Sequence, residues 1–446
     1  MEKLIIWLAT LALVLAVLIP YFRKFHRGRK RDFLQKKEAA RLGLDRPHLQ
    51  YPLIDSTICI GCGACVKACP EGDVLGVVYG TATVINGARC VGHARCEVAC
   101  PVGAIKVGLG DIHGRDDLPV LTEYNETTVS GMFIAGELAG FSLIRNAIIQ
   151  GQMVVENIAQ QAKPKRYDKM MDLVIVGAGP AGLSAALTAI QHKLSYLVLE
   201  EQDVGGSLMH YPRRKLVMTQ PVEMPLHGRM KATVYSKERL LEIWREIVAR
   251  FKVNILTKEK VERVIKQNGG FEIYTPKGIY RSRYVVLALG RRGTPRRLGV
   301  PGEQLSKVMY QLIDSQSYSG LNLLVVGGGD AGVEAAIGLA QQTSNKVTLC
   351  YLKESFLVIK KKNEEQITQL IREGKIQPLA DSQVKAIKEK SVLVNTEKGL
   401  VEIPNDYVFI FIGGIPPYEM LKAMGIAFGG QSGAVDKPQK NLARIG

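Results

Sequence analysis

Asp172-Leu-Val-Ile-Val176, continued by Gly177-Ala-Gly179-Pro-Ala-Gly182, decides the fold. The first five residues are almost all apolar and read as a buried strand. The glycines follow without a break, and Leu183 to Gln191 carries on with helical spacing. A second strand, Leu194 to Leu199, ends in an acid, Glu200. A glycine triplet alone is a weak signal, but strand, turn, helix, strand and terminal acid together mark a dinucleotide-binding unit. Gly177 serves the tight turn, Gly179 the close approach of a pyrophosphate, and Gly182 the packing of helix on strand. The helix N-terminus then presents backbone N–H groups and its positive dipole end to phosphate. Glu200 is placed to accept hydrogen bonds from an adenosine ribose, and Gly205 and Gly206 line the same nucleotide further on.

The pattern returns 150 residues later. Leu323 to Val326 is the strand, Gly327-Gly-Gly329-Asp-Ala-Gly332 the turn, and Val333 to Gln341 the helix. The next strand, Lys346 to Leu349, runs into Cys350-Tyr-Leu-Lys353-Glu354. Two such units in one chain are the arrangement of flavin reductases, one for FAD and one for NAD(P)H. The chain resembles the pyridine nucleotide–disulfide oxidoreductases, in their thioredoxin-reductase-like branch. Val286-Leu-Ala-Leu-Gly290 matches the strand that closes the first FAD section there, and Asp406 to Gly413 the return to the FAD domain. The resemblance covers nearly everything from 119 to 446 and implies that Gly327, Gly329 and Gly332 bind the nicotinamide nucleotide. Leu352 fills an arginine position of that family's signature for the NADPH 2′-phosphate. Lys353, Lys360 and Lys361 are substitutes or solvated surface charge, so NADH against NADPH stays open. The family's C-x-x-C pair is missing too, since no such pair follows Cys100.

One family segment is out of place. Members end with a strand, then G-x-x-x-A-G-D, then a helix that starts at the flavin. Here nothing of the kind follows Gly413, yet Gly131-Met-Phe-Ile-Ala-Gly136-Glu137 precedes the first dinucleotide unit, with Leu143 to Ile158 as its helix. The resemblance therefore implies a circular permutation, with Lys163 to Lys169 as the joining linker. Gly136 and Glu137 then belong to the flavin site, Glu137 standing for the usual aspartate on the ribityl chain.

Seven of the eight cysteines fall between Cys59 and Cys100. Cys59, Cys62, Cys65 and Cys69 form C-x2-C-x2-C-x3-C, followed by Pro70; 31 residues on, Cys90, His93, Cys96 and Cys100 repeat every offset, followed by Pro101. Thiolates so spaced wrap three corners of a cubane, while the cysteine before proline reaches the other cluster. One set is Cys59, Cys62, Cys65 and Cys100; the other is Cys90, His93, Cys96 and Cys69. This resembles the bacterial two-cluster ferredoxin domain, over residues 53 to 108. Structural zinc is the alternative, disfavoured by four cysteines this close plus a repeat. His93 stands where the family has cysteine. It is a ligand of a second cubane, a bystander to a three-iron cluster, or a sign that no second cluster forms. Cys350, alone, reads as a buried structural thiol.

Leu4 to Phe22 is almost wholly apolar and long enough to span a bilayer core of about 30 Å. Trp7 and Tyr21 lie near its ends, and basic residues from Arg23 to Arg31 follow it. The expectation is a single-pass anchor in the cytoplasmic membrane, with the catalytic body in the cytoplasm and anionic lipid as the partner of the basic block. The formal charge of +17 comes with no basic–aromatic recognition motif, which argues against nucleic acid.

The expected fold is an α/β flavoprotein with Rossmann-like FAD and NAD(P) domains, a small α+β ferredoxin-like domain and one N-terminal transmembrane helix. Its divisions are 1–22 anchor, 23–52 basic linker, 53–108 ferredoxin-like domain, 109–163 displaced FAD segment, 164–300 FAD-binding domain, 301–402 NAD(P)-binding domain and 403–446 return to the FAD domain. Such a chain passes electrons among NAD(P)H, FAD, two iron–sulfur clusters and a redox partner protein or membrane carrier. Rival readings are an electron-entry subunit of a larger membrane or quinone-linked complex, and a redox sensor that does not turn over. A homodimer stays open.

Overall fold

The structure, a computed structural model, describes residues 2–41, 44, 50–109, 117–140, 143–161, 170–213, 215–218, 221–230, 232, 234–291, 293–342, 344–352, 356 and 359–429. The chain divides into two compact units, 1–110 and 111–446.

In the first unit, the strand Gln50–Ile54 runs antiparallel to Ile105–Leu109 and ties the two ends of the cysteine region together. Two matching halves lie between. Each has a loop of left-handed residues, Gly61 and Gly63 in one (φ 65° and 72°), Gly92 and Ala94 in the other (φ 74° and 57°). A short helix follows each loop: α2 (Ala64–Ala68) and α3 (Arg95–Val98). The sequence repeat is therefore a repeat of backbone shape. Left-handed backbone costs an L-residue about 1–2 kcal/mol, and Ala94 carries that strain where the first half has glycine. Ala94→Gly is expected to raise stability by roughly 1 kcal/mol. Thermal melts of the full chain check it; an unchanged or lower midpoint contradicts it. The hairpin Leu75–Val78 with Thr81–Val84 supplies Leu75, Ala82 and Val84 to a small core shared with Cys65, Cys96 and Ile105.

The expected membrane anchor is corrected here. Among the described residues no helix is long and apolar enough to cross a membrane, and the placement in a cytoplasmic membrane falls with it. Anchor and linker are not separate elements: a single helix, α1, runs from Glu2 to Arg41. Beyond Phe22 the chain is rich in Arg, Lys, Gln, Glu and Ala, which are strong helix formers, so charge does not end the helix. Its second half is docked on the hairpin. Asp32 accepts from the Val77 N–H (3.0 Å), Phe33 meets Tyr79 edge-on with centroids 5.9 Å apart, and Ala39 is buried.

The second unit holds two large sheets. The first has seven strands. Ile255–Leu256, Tyr196–Leu199, Met171–Val176 and Gly278–Leu287 are successive parallel neighbours. Gly270–Thr275 and Arg263–Gln267 add an antiparallel meander at one side. The seventh strand, Met132–Ile134, arrives from much earlier in the chain and lies parallel to Val285–Leu287. Its helix α4 (Ile144–Gln161) packs on α5 (Pro180–Gln191). Gly151 makes that approach feasible, since a Cβ there would stand 2.1 Å from the Ala181 oxygen. Ser184 Oγ donates to the Ile148 carbonyl at 2.7 Å. Phe133, Ile148, Val154, Leu173, Leu183 and Trp244 of α6 (Lys237–Phe251) share one core.

The second sheet is parallel and five-stranded: Val308–Met309, Tyr407–Ile410, Asn322–Val326, Lys346–Cys350 and Ile376–Leu379, in that order. Tyr407–Ile410 thus pairs within this sheet, and the chain returns to the first only beyond it. The two crossings, Thr294–Pro295 and Gly414–Ile415, pair antiparallel. After them Leu421, Met424, Ile426 and Phe428 join the first sheet's other face. The end of the described chain then meets the displaced segment. Val120 N–H donates to the Ala427 carbonyl and Gly429 N–H to the Leu118 carbonyl, both at 2.9 Å, around a Pro119–Phe428 antiparallel bridge.

Candidate cofactor sites

At the first turn, Gly177 has φ 106° and a Cβ there would lie 2.4 Å from the Ala288 oxygen. A Cβ on Gly182 would lie 1.9 Å from the Gly177 oxygen. Packing demands both glycines. Gly179 differs: the nearest atom to its would-be Cβ is Gly206 Cα, at 3.9 Å. It leaves bare backbone and open space at the start of α5, which a pyrophosphate requires. The second turn repeats the device before α7 (Asp330–Ala340). A Cβ on Gly327 (φ 128°) would lie 2.3 Å from the Phe411 oxygen and one on Gly332 2.1 Å from the Gly327 oxygen, while a Cβ on Gly329 would meet nothing within 4 Å.

The loop of Gly205 and Gly206 is held on the first turn by the Gly205 N–H, which donates to the Ala178 carbonyl at 3.0 Å. Glu200 is buried and braces the same turn, accepting from the Ala178 N–H (2.7 Å) and the Gln202 N–H (2.8 Å). Burial raises its pKa, against the pull of those two donors. Gly136 (φ 93°) faces the start of α5, where a Cβ on it would lie 3.3 Å from Ala181 Cβ, and it donates its N–H to Gln150 Oε1 at 2.7 Å. Glu137 stands close enough to half-buried Tyr211 to add to its raised pKa, burial being the larger cause.

Sequence patterns did not reveal Gln150, Tyr211 or the pair Lys215–Glu334, because each works through contacts distant in the chain. Lys215 Nζ meets Glu334 Oε2 of α7 at 2.6 Å. Burial would raise the Glu334 carboxyl, but Lys215, Lys360 and Asn363 hold it below the ordinary value. Asn363, on α8 (Lys361–Arg372), also donates to Asp330 Oδ1 at 2.6 Å. Lys360 is therefore engaged at the start of α8 near these acids. Leu352 is exposed. Lys353 and Glu354 lie outside the described residues, as do Lys163 to Lys169 of the expected linker.

In the first unit Cys65 and Cys96 are buried, Cys62 is exposed, and Cys59, Cys69, Cys90 and Cys100 are half-buried. Their electrostatics sort them. Burial raises the Cys65 thiol, and the cysteines that add to it are Cys59 and Cys62. Burial pushes Cys96 up to about 12, with Cys90 and Cys69 contributing before Cys65. Cys90 rises to about 11 through burial, then through Cys69 and Glu71. Cys69 thus stands in the field of Cys90 and Cys96, the crossed grouping that the repeat implies. Thiols pushed this high stay protonated until a bound metal displaces the proton. Backbone donors also reach sulfur, from Ala82 N–H to Cys59 Sγ (3.3 Å) and from Ala104 N–H to Cys100 Sγ (3.2 Å). His93 Nε2 lies 3.7 Å from Glu71 Oε1, within ion-pair range but beyond a hydrogen bond. Among the described residues no group of three or more His, Cys, Asp or Glu is gathered for a single metal ion. A cubane, with its ligands at separate corners, makes no such demand.

Residues 174–439 match the family described as pyridine nucleotide-disulphide oxidoreductase, and residues 51–101 match a 4Fe-4S dicluster domain. A ferredoxin–NADP reductase of Ignicoccus hospitalis is 31% identical over 278 residues, covering 60% of this chain and 85% of the relative. The bacilliredoxin reductase Bdr of Bacillus subtilis is 30% identical over 265 residues, covering 58% and 82%. Among solved structures, a bacillithiol disulfide reductase Bdr from Bacillus cereus aligns with a TM-score of 0.54 at 27% identity, over 58% of this chain and 82% of that one.

Proposed function

Because this chain belongs to the pyridine nucleotide-disulphide oxidoreductase family and joins to it a 4Fe-4S dicluster domain, we propose that it carries electrons between a nicotinamide and a redox protein through FAD and two clusters. It is a FAD-dependent NAD(P)H oxidoreductase. The observation that carries the reading is the pair of open glycines, Gly179 and Gly329, each at a helix start and each flanked by glycines that packing demands. Bound FAD exchanges hydride with a nicotinamide and single electrons with iron–sulfur clusters. Gly177, Gly179, Gly182, Glu200, Gly205 and Gly206 hold the flavin nucleotide, with Gly136 and Glu137 at its ribityl end. Gly327, Gly329 and Gly332 hold the nicotinamide nucleotide. Cys59, Cys62, Cys65 and Cys100 take one cluster; Cys90, His93, Cys96 and Cys69 take the other.

Residues 119–160, within the 109–163 division, are the closing segment of the FAD fold, carried at its front by permutation. The Pro119–Phe428 bridge supports this, because it pairs the two places where the cut would fall. The polypeptide leaving the cysteine unit then runs directly into the segment that bears Gly136 and Glu137.

The test is anaerobic purification with iron, sulfide and flavin quantified, followed by stepwise NADH or NADPH. Flavin bleaching accompanied by paramagnetic signals from the clusters, then reduction of an added ferredoxin-type protein, is expected. Bleaching with both clusters unchanged would sink the coupling. Turnover with an artificial acceptor separates an enzyme from a sensor.

Disulfide reduction by a protein dithiol finds little support. Cys350, the one cysteine outside the cluster motifs, is 1% exposed, is raised by burial, and accepts from Ser382 Oγ at 3.1 Å. Cys350→Ala is expected to leave NAD(P)H oxidation within about twofold of the parent, and to cost stability of order 1 kcal/mol. A larger loss of turnover would show that the thiol takes part.

A further inference from the structure

We propose that Glu71 is the positioning residue of the second cluster, holding the His93 imidazole by its Nε2 side and adding a buried negative charge beside the Cys69 and Cys90 sulfurs. The proposal rests on Cys69, Cys90, His93 and Cys96 forming one ligand set. Glu71 follows Pro70 on a turn made by two left-handed residues, Gly72 (φ 59°) and Asp73 (φ 36°). That turn wraps Cys69, whose sulfur receives the backbone N–H groups of Glu71 and Gly72. It also buries the carboxylate: the Glu71 side chain is 10% exposed and the His93 side chain 12%.

The internal repeat supplies an independent argument. Shifted by 31 residues, His93 corresponds to Cys62 and Glu71 to Val102. Where the ligand position holds a thiol, the residue after Cys-Pro is apolar. Where it holds an imidazole, that residue is a carboxylate, 3.7 Å from the ring nitrogen. Cysteine offers a single ligating atom, so nothing need choose between donors. An imidazole has two different nitrogens, and a carboxylate at one selects the other for the metal. Both effects of Glu71, charge and a more electron-rich ring, hold the cluster's potential down.

The experiment is a redox titration of the full chain, purified anaerobically, followed by electron paramagnetic resonance with iron counted in every variant. E71Q keeps the shape and removes the charge; E71D keeps the charge. Each is made with His93 and with H93C. In the His93 background, E71Q is expected to retain both clusters and to favour reduction of the second by at least tenfold, about 59 mV for one electron. The first cluster should not move, and E71D should lie nearer the parent. In the H93C background the E71Q shift should shrink. Loss of the second cluster in E71Q, with retention in E71D, would equally support the assignment. No shift in E71Q, or an equal shift in both backgrounds, overturns it. A parent protein carrying iron for one cluster alone would overturn the ligand set itself, an outcome that the iron count separates from failure of Glu71.

Discussion

Gly179→Val should give a protein that folds, keeps the iron of its clusters and has lost its flavin. The would-be Cβ has only Gly206 Cα near it, at 3.9 Å, so the apo fold can accommodate the side chain. What it cannot accommodate is a pyrophosphate in the same space. FAD affinity should fall by at least about 100-fold, about 2.8 kcal/mol at 1.4 kcal/mol per tenfold. Gly329→Val tests the same logic on the second turn, and there the flavin should remain while its reduction by NAD(P)H fails. Gly177→Val separates space from strain. At φ 106° and 2.4 Å from the Ala288 oxygen, it must disturb the strand that closes the sheet, and stability should fall by several kcal/mol. Flavin content, iron content and thermal melts of the three variants give the pattern. If Gly179→Val binds FAD like the parent, the pyrophosphate lies elsewhere.

These glycines were legible because their work is local. A strand, a turn and a helix that meet in the structure are consecutive in the chain, and the spacing of apolar residues and glycines encodes them together. The cysteine repeat was legible for the same reason, and its left-handed loops carry the repeat into the backbone. Where partners are remote, patterns fail. Glu71 and His93 approach to 3.7 Å but lie in different halves of the repeat, and Lys215 finds Glu334 on another sheet's helix. The N-terminus shows the opposite error. Leu4 to Phe22 reads as an element of its own because hydropathy changes sharply at Arg23, yet backbone propensity does not change there. The helix continues to Arg41, and what fixes its far half is tertiary: Asp32 on the Val77 N–H and Phe33 against Tyr79. Likewise, Tyr407–Ile410 reads as the return to the flavin domain, but its pairing partner is Asn322–Val326, within the second sheet. A strand's sequence tells that it is buried, not beside which neighbour.

His93→Cys should keep the second cluster and make it harder to reduce, whereas His93→Ala should cost it an iron. A thiolate in place of a neutral imidazole adds a negative charge to the cluster, and cluster potential follows net charge and the hydrogen bonds to its sulfurs. The substitution copies the first half of the repeat, where Cys62 holds the equivalent position, and Gly92 (φ 74°) matches Gly61 (φ 65°) beside it. The loop is thus already shaped for a cysteine ligand. In the parent protein the His-containing cluster should therefore have the higher potential of the two. Electrons leaving the flavin then have a downhill resting place, and the cluster of Cys59, Cys62, Cys65 and Cys100 is the harder to fill. With His93→Cys the two midpoints should converge, moved by at least a tenfold change in the reduction equilibrium, about 59 mV. A potentiometric titration with paramagnetic detection reads both clusters at once. If His93→Ala leaves both spectra, both midpoints and the iron count as they were, His93 does not bind iron.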